Sequence, residues 1–273
     1  MRSPLQTGFV LCSLTLLLSA CTGGTASVVR ASTLNVEITT PPNNGAADIA
    51  GYTIGLAFDT GQGVTAGGIG LAMDGNPIPT NCTVDDGTAA CQPSDAYGPG
   101  SHTLTATVTA PNGATGQADS TFQLLLLPPD PGEAGKATLL GIDSDNDGVR
   151  DDIQRYIELN YPNSAKTRMA LRQYAKATNN ALRDANDKRK SINNSYQMDY
   201  AQECLSYIFR ETEGNSFSAI KIRRALHAEF LNTSERTTKY FEFDEKLGGE
   251  VFSTTPLKYQ NRSCDFDLSA LPN

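Results

Sequence analysis

The sequence has only two histidines, His102 and His227, and it lacks the compact motifs of common hydrolases and nucleotide-binding enzymes. H-E-x-x-H, G-x-S-x-G and the phosphate-binding P-loop are all absent. The two histidines fall in stretches of different composition, so a Ser-His-Asp arrangement would have to bring both stretches together. These absences favour a protein that binds over one that catalyses.

Positive charge is missing from a long part of the chain. Residues 34–127 contain no lysine or arginine and eight acidic residues, whereas residues 151–273 contain 18 basic and 17 acidic residues. A composition shift of this kind predicts two modules. An acidic module does not suit nucleic acid, which needs clustered Lys and Arg, but it does suit metal cations.

The first residues have the anatomy of a secretory signal: Arg2, an apolar run over residues 9–18, and the small residues Ser19 and Ala20. The run is shorter than the roughly 20 apolar residues that span a bilayer. Leu18-Ser19-Ala20-Cys21 resembles the lipobox of bacterial lipoproteins. The resemblance implies that residues 1–20 are removed, that Cys21 carries a diacylglyceryl group, and that residues 21–33 are a lipidated tether. Thr22 after the cysteine, in place of Asp, implies the outer membrane. The alternative is a plain secreted protein.

Four cysteines remain beyond Cys12 and Cys21: Cys82, Cys91, Cys204 and Cys264. An even number in an oxidising compartment predicts two disulfides, and proximity favours Cys82–Cys91 and Cys204–Cys264. Metal ligation is the rival interpretation. The absence of a C-x-x-C pair disfavours it.

Residues 34–127 alternate between apolar and polar side chains. The apolar members of this alternation predict the buried faces of short strands. They are Leu34, Val36, Ile38, Tyr52, Ile54, Leu56, Phe58, Ile69, Leu71, Met73, Leu104, Ala106 and Val108. Asp74-Gly75 and Asn112-Gly113 are hairpin signals. The order of pieces, with Pro41-Pro42 near the start and the segment 100–108 near the end, resembles a bacterial immunoglobulin-like domain. The resemblance implies an antiparallel β-sandwich that serves as a spacer or as a binding module.

Residues 128–142 begin with Pro128-Pro129-Asp130-Pro131-Gly132, which predicts a stiff, extended linker. The segment 143–154 follows with aspartates at its first, third and fifth positions, Asp143, Asp145 and Asp147, and Gly148 at its sixth. This is the front half of an EF-hand loop, whose oxygens surround calcium. A Glu is expected at position 12, where this chain has Gln154.

The compact spacing of the acids resembles the thrombospondin type 3 and dockerin-like loops of exported proteins. The resemblance implies calcium as the cofactor. The predicted ligands are Asp143, Asp145, Asp147, the carbonyl of Val149, Asp151 and Asp152. The alternative is an acidic loop that caps a helix without any metal.

Residues 155–273 predict a helical domain. We expect a helix at the end of the acidic loop, a long one from about Ser164 to Asp187, and others capped at Asn193-Asn194-Ser195, at Ser216 and at Thr233 or Ser234. The segment from Leu231 to Tyr240 resembles exported proteobacterial proteins that carry no known activity. Glu203 and Glu229 could form a carboxylate pair for glycoside hydrolysis, but helical Glu residues are usually solvated or ion-paired, which disfavours this role. His227 is expected to pack among its apolar neighbours.

The sequence therefore predicts an all-β immunoglobulin-like sandwich followed by a mainly α-helical domain. The predicted protein is lipid-anchored in the cell envelope, calcium-binding and non-catalytic, with a structural or adhesive role. Its expected partners are the membrane, through Cys21, and an envelope protein or a glycan at the helical domain; nucleic acid is not expected. The alternatives are an envelope hydrolase with an unrecognised site in the helical domain and a calcium sensor, against which Gln154 counts.

Overall fold

The computed structural model describes residues 33–272, apart from the side chain of Thr80. Nine strands lie in the first half of this range. They are β1 (Val36–Thr40), β2 (Ala46–Asp48), β3 (Ile54–Phe58), β4 (Ile69–Met73), β5 (Asn76–Pro77), β6 (Thr80–Asp85), β7 (Thr88–Pro93), β8 (Gly100–Thr109) and β9 (Thr115–Leu125). The predicted signal, the tether and the lipid site Cys21 lie outside the described residues, except for Thr33 at the end of the tether.

The strands form two sheets that pack face to face. One sheet has the order β1-β3-β7-β6, and the other has the order β2-β9-β8-β4-β5. All neighbouring strands are antiparallel except β2 and β9, which are parallel. Side chains on alternate positions of each strand point between the sheets, as period-two patterning requires. Ile54, Met73, Leu104, Ala106 and Val108 are fully buried there. The predicted sandwich is confirmed.

Two hairpins form where the turn residues predicted them. Asp74 and Gly75 have φ angles of 52° and 80° and join β4 to β5 through the pair Met73 and Asn76, as a two-residue turn with both central φ angles positive requires. The loop around Asn112-Gly113 joins β8 to β9. The β6–β7 hairpin carries the disulfide between Cys82 and Cys91, which lie opposite each other in the ladder.

Five helices follow in the described range. They are α1 (Asp151–Asn160), α2 (Ala165–Arg183), α3 (Lys188–Glu213), α4 (Phe217–Phe230) and α5 (Ser234–Lys246). The hydroxyls of Ser164 and Thr233 cap α2 and α5 by accepting from Thr167 N and Arg236 N. The predicted start of the third helix at Asn193 is wrong. That helix begins at Lys188, because Asp187 caps it by accepting from Lys190 N.

The helices enclose one apolar core to which the C-terminal tail is attached. Leu171, Ile208, Leu226 and Phe230 are among its buried members. The tail has short 3-10 turns at Leu257–Ser263 and Leu268–Ala270. The disulfide Cys204–Cys264 ties it to α3. Both predicted disulfides are therefore present.

The sandwich contacts the helical region directly. Helix α1 lies against β2, and Arg155 Nη1 donates to Asp48 Oδ2 at 2.6 Å and to the carbonyl of Pro128 at 2.8 Å. Asn163 Nδ2 donates to the carbonyl of Asn44 at 2.6 Å. Asp48 of the sandwich is therefore ion-paired with an arginine of the helical region.

Candidate metal centre

The acidic loop is folded around its own aspartates. Asp143 accepts hydrogen bonds from Asp147 N at 3.2 Å and from Gly148 N at 2.9 Å, and Asp147 Oδ1 accepts from Val149 N at 2.8 Å. Aspartates commonly close turns of this kind by accepting from backbone N–H groups two or more residues on. Gly148 has a φ of 89°, a conformation that residues with a side chain rarely adopt. The glycine at position six therefore has the turning role that the motif predicts.

Three of the predicted ligands lie together. One oxygen from each of Asp143, Asp145 and Asp147 falls within 4.8 Å of the others, an arrangement that could hold a metal ion. The pKa of Asp143 is raised by burial; the hydrogen bond from Gly148 N opposes this rise, and the nearby Asp145 adds to it. Crowded carboxylates of this kind favour a bound cation, whose charge relieves their repulsion.

Asp151 holds the loop closed. Its Oδ1 atom accepts from Ser144 N at 2.9 Å and from Ser144 Oγ at 3.2 Å, and the residue is almost completely buried. It is also the first residue of α1, where a carboxylate is favoured by the exposed N–H groups of the helix. Asp151 therefore links the loop, through Ser144, to the first turn of α1.

Asp152 is directed to a different partner. Its two oxygens accept from Arg150 Nε at 2.9 Å and from Arg150 Nη2 at 2.8 Å. Although burial raises its pKa, these bonds and the charge of Arg150 lower it overall. The structure thus does not bring Asp152 into the group of Asp143, Asp145 and Asp147.

Gln154 occupies position 12 of the loop, where an EF-hand has Glu. Its side-chain oxygen Oε1 is buried and has no hydrogen-bond partner among the described residues. An unsatisfied buried acceptor costs about 1–3 kcal/mol, so such atoms are rare in folded proteins. A bound cation is one group that satisfies a buried carbonyl oxygen.

Arg172, which the sequence did not single out, lies beside the acidic loop. From α2, its Nη2 atom contacts Asp147 Oδ2, and its Nη1 atom lies 3.6 Å from Glu158 Oε1. Glu158 also pairs with Arg168 at 2.8 Å. The helical period of α2 places Arg168 and Arg172 on one face of the helix, but only the tertiary packing sets that face against the loop.

Two fully buried arginines, Arg150 within the loop segment and Arg236 on α5, connect this region to the helical domain. Arg150 stacks on the ring of Phe230 at 4.8 Å and donates to its carbonyl at 3.2 Å. Arg236 donates to the carbonyls of Gly135, Thr138 and Leu139. The predicted linker segment includes a 3-10 turn at Gly132–Lys136. Because its carbonyls accept hydrogen bonds from Arg236, the segment packs on α5.

The two glutamates considered for glycoside hydrolysis lie in different surroundings. Glu203 is buried on α3 and accepts from Thr255 N and Ser263 Oγ, both at 2.6 Å, so it anchors the tail. Glu229 is exposed on α4. The predicted packing of His227 is confirmed, since its ring lies 4.6 Å from that of Tyr240 and its Nδ1 atom lies 3.1 Å from Tyr174 Oη. Burial, followed by the charge of Arg223, lowers the pKa of His227.

Within residues 33–272, no helix has the length and apolar character needed to cross a membrane.

Comparisons with known proteins give distant likenesses. No family model and no curated protein matches the chain. Among solved structures, it is similar to PcoC, a methionine-rich copper resistance protein from Escherichia coli, with 15% identity, 34% of this chain and 100% of that chain covered, and a TM-score of 0.28. The chain is also similar to CopC from Methylosinus trichosporium OB3b, with 14% identity, 36% of this chain and 98% of that chain covered, and a TM-score of 0.28. A third similar structure is the N-terminal Ig1-2 module of Drosophila receptor protein tyrosine phosphatase DLAR. It has 16% identity and a TM-score of 0.24, with 37% of this chain and 53% of that chain covered. At such TM-scores these likenesses carry no argument about function.

Proposed function

We propose that the chain is a lipid-anchored, non-catalytic binding protein of the cell envelope, in which a calcium ion stabilises the junction between the sandwich and the helical domain. One observation carries this proposal: Asp143, Asp145 and Asp147 place three carboxylates within 4.8 Å of one another at the entry to α1. The other observations bear on the choice of ion, on its role and on the compartment.

Calcium fits the donor set better than softer metals do. Every offered atom is an oxygen, and calcium takes six to eight oxygens, whereas copper and zinc favour His and Cys. The three aspartates, the carbonyl of Val149 and Oε1 of Gln154 supply five candidates, and water would complete the shell. Asp151 supports the loop through Ser144, and Asp152 neutralises Arg150, so neither is assigned as a direct ligand.

The role proposed for calcium is structural because of what the loop connects. It leads into α1, whose Arg155 binds both Asp48 of the sandwich and the carbonyl of Pro128. An ion that binds only the folded loop stabilises this junction by mass action, by about 2.7 kcal/mol at a concentration of 100 times Kd.

The envelope location is supported by the cysteines. The sequence at Cys21 resembles a lipobox, and the disulfides Cys82–Cys91 and Cys204–Cys264 are typical of an oxidising compartment. Extracellular calcium modules work with Kd of about 0.1–1 mM, which suits a compartment open to external calcium.

Calorimetry and thermal unfolding with CaCl2 test the calcium site. We expect heat of binding and a melting temperature that rises by about 5–10 °C at saturating calcium, from the stabilisation above and the scaling for a chain of this size. The Asp143→Asn/Asp145→Asn variant removes two charges at nearly constant volume and should lose both effects. The matched control, Asp95→Asn, changes an exposed aspartate of the sandwich and should retain them. A calcium response unchanged in the double variant would refute the site.

Metabolic labelling with a clickable fatty acid tests the anchor independently. Wild-type protein should take up the label, and Cys21→Ala should not. An unlabelled wild-type protein would refute lipid anchoring and leave the calcium site untouched.

A further inference from the structure

An open cleft lies between the C-terminal tail and α3, apart from the calcium site. It has a volume of about 520 Å³, and its lining residues include Gln197 and Tyr200 on α3 and Tyr259, Arg262 and Asp265 on the tail. This volume lies within the range of about 300–1,000 Å³ that is usual for small-molecule sites. We propose that this cleft binds an acidic saccharide, with Arg262 receiving the carboxylate of the sugar.

The wall of the cleft is held rigidly although it has little regular structure. Glu203 accepts from Thr255 N and Ser263 Oγ, and Gln173 Nε2 donates to the carbonyl of Ser263 at 2.8 Å. Gln260 links Arg210 to the carbonyl of Thr255, and Cys264 is bonded to Cys204. Binding residues commonly lie on loops that a rigid scaffold positions, and this tail has that arrangement.

The cleft also offers a positive charge, Arg262, together with the carboxylate of Asp265. The guanidinium of Arg262 lies 4.9 Å from the ring centroid of Tyr259; Lys258, whose Nζ atom lies 4.7 Å from the same ring, is next to the cleft in sequence but does not line it. Neither cation pairs with a carboxylate of the described residues. A guanidinium presents parallel N–H donors that match a carboxylate, so Arg262, which is exposed and makes no salt bridge within the described part of the chain, can receive an anionic group at the mouth of the cleft.

The remaining lining groups favour a sugar over a peptide. No Val, Leu, Ile, Met or Phe side chain lines the cleft, so it lacks apolar pockets for peptide side chains. Tyr200 and Tyr259 are 38% and 40% exposed, and each combines an apolar ring with a hydroxyl. The Gln197 amide and the Asp265 carboxylate add donors and acceptors for sugar hydroxyls. Together these groups match a hydroxyl-rich ligand that also carries a carboxylate.

This inference rests on the proposed binding role in the envelope, and its test uses matched sugars. The full chain, loaded with calcium, is titrated with the disaccharide N-acetylglucosaminyl-N-acetylmuramic acid and with N,N′-diacetylchitobiose, which lacks the lactyl carboxylate. Digalacturonate serves as a second acidic sugar, and inorganic phosphate serves as a simple anion. Ligand-observed NMR detects the weak binding expected for short sugars.

We expect at least one acidic disaccharide to bind at least tenfold more tightly than chitobiose and than phosphate, because a charge-assisted bidentate contact is worth a factor of that order. Arg262→Gln should remove this preference, and Tyr200→Ala should weaken binding of the same acidic sugar. Arg224→Gln, an exposed arginine on α4, should change nothing.

Three outcomes would overturn the proposal: no binding of either acidic sugar, equal binding of chitobiose or phosphate, or full binding by Arg262→Gln. The melting temperature of each variant with and without CaCl2 is recorded in parallel. If the acidic sugars do not bind while the melting temperature still responds to calcium, only this inference is refuted. A missing calcium response with intact sugar binding refutes the proposed calcium site and leaves the cleft standing.

Discussion

Arg155 and Asp48 form an ion pair across the junction between the helices and the sandwich, with 2.6 Å between Nη1 and Oδ2. Their side chains are only 15% and 10% exposed. The same guanidinium nitrogen donates to the carbonyl of Pro128, just after the last strand. One arginine on the helix that follows the acidic loop therefore contacts both the sandwich and the segment that leaves it.

Breaking this pair should destabilise the whole chain. Asp48→Asn leaves the Arg155 charge half-satisfied in a mostly buried place, so we expect a loss of about 2–3 kcal/mol in the free energy of unfolding. Glu133→Gln, in the exposed pair with Lys136, should change stability by less than about 0.5 kcal/mol. Urea denaturation measures both. Equal losses in the two variants would contradict a special role for the junction.

Gln154→Glu should strengthen calcium binding. The substitution places a carboxylate at position 12, and calcium affinity rises with the charge of the ligand set. We expect Kd to fall by about tenfold, and the calcium-free form to lose stability because the new charge is buried without a partner. Calorimetry at several calcium concentrations checks this, with Gln117→Glu on the exposed face of β9 as the control. Unchanged affinity would show that Gln154 does not reach the ion.

Arg172→Gln should also strengthen calcium binding, for a different reason. Arg172 contacts Asp147 and so competes electrostatically with a cation for that carboxylate. Removing one positive charge at this distance should lower Kd by about threefold to tenfold. The control is Arg183→Gln, on the same helix but 54% exposed and paired with Asp184. Weaker binding by Arg172→Gln would mean that the arginine positions Asp147 and that its charge is secondary.

The pair His102 and Asp74 should make the stability of the sandwich depend on pH. Burial lowers the pKa of His102, but its hydrogen bonds to Asp74 and to the Gly98 carbonyl raise it overall above 6.5. The hydrogen bond from Thr103 N, followed by that from His102, lowers the pKa of Asp74 below 3.8. The stabilisation by His102 is complete below about pH 6.5 and is lost as the pH rises through the raised pKa. The stabilisation by Asp74 is lost as the pH falls through the lowered pKa.

Urea denaturation of wild type and His102→Gln between pH 5 and 8.5 measures this effect. The free energy of unfolding of the wild type should exceed that of His102→Gln by less as the pH rises. His227→Gln provides a control of opposite sign, because the lowered pKa of His227 means that its contribution is lost as the pH falls. If the stability difference from wild type changed with pH in the same direction for both variants, the partners described for His102 would be contradicted.

The elements that were predicted well are those whose signal is local. Leu104, Ala106 and Val108 alternate with threonines, and all three are completely buried in β8. Ser164 and Thr233 cap their helices because a hydroxyl before a helix meets N–H groups only a few residues away. Where the local signal was ambiguous, the prediction failed. Asp187 caps α3 at a point earlier in the chain than the predicted cap at Asn193.

The candidate calcium site divides in the same way. The sequence by itself determined that Asp143, Asp145 and Asp147 would converge, because a glycine-turned loop brings alternating residues around one centre whatever surrounds it. Only the tertiary structure decided that Asp152 would pair with Arg150, that Gln154 would bury an unpartnered oxygen, and that Arg172 would contact Asp147. Those relationships depend on which faces of α1 and α2 pack against the loop. The same holds for Arg155 and Asp48, 107 residues apart, whose pairing exists only because the sandwich and the helices are folded against each other.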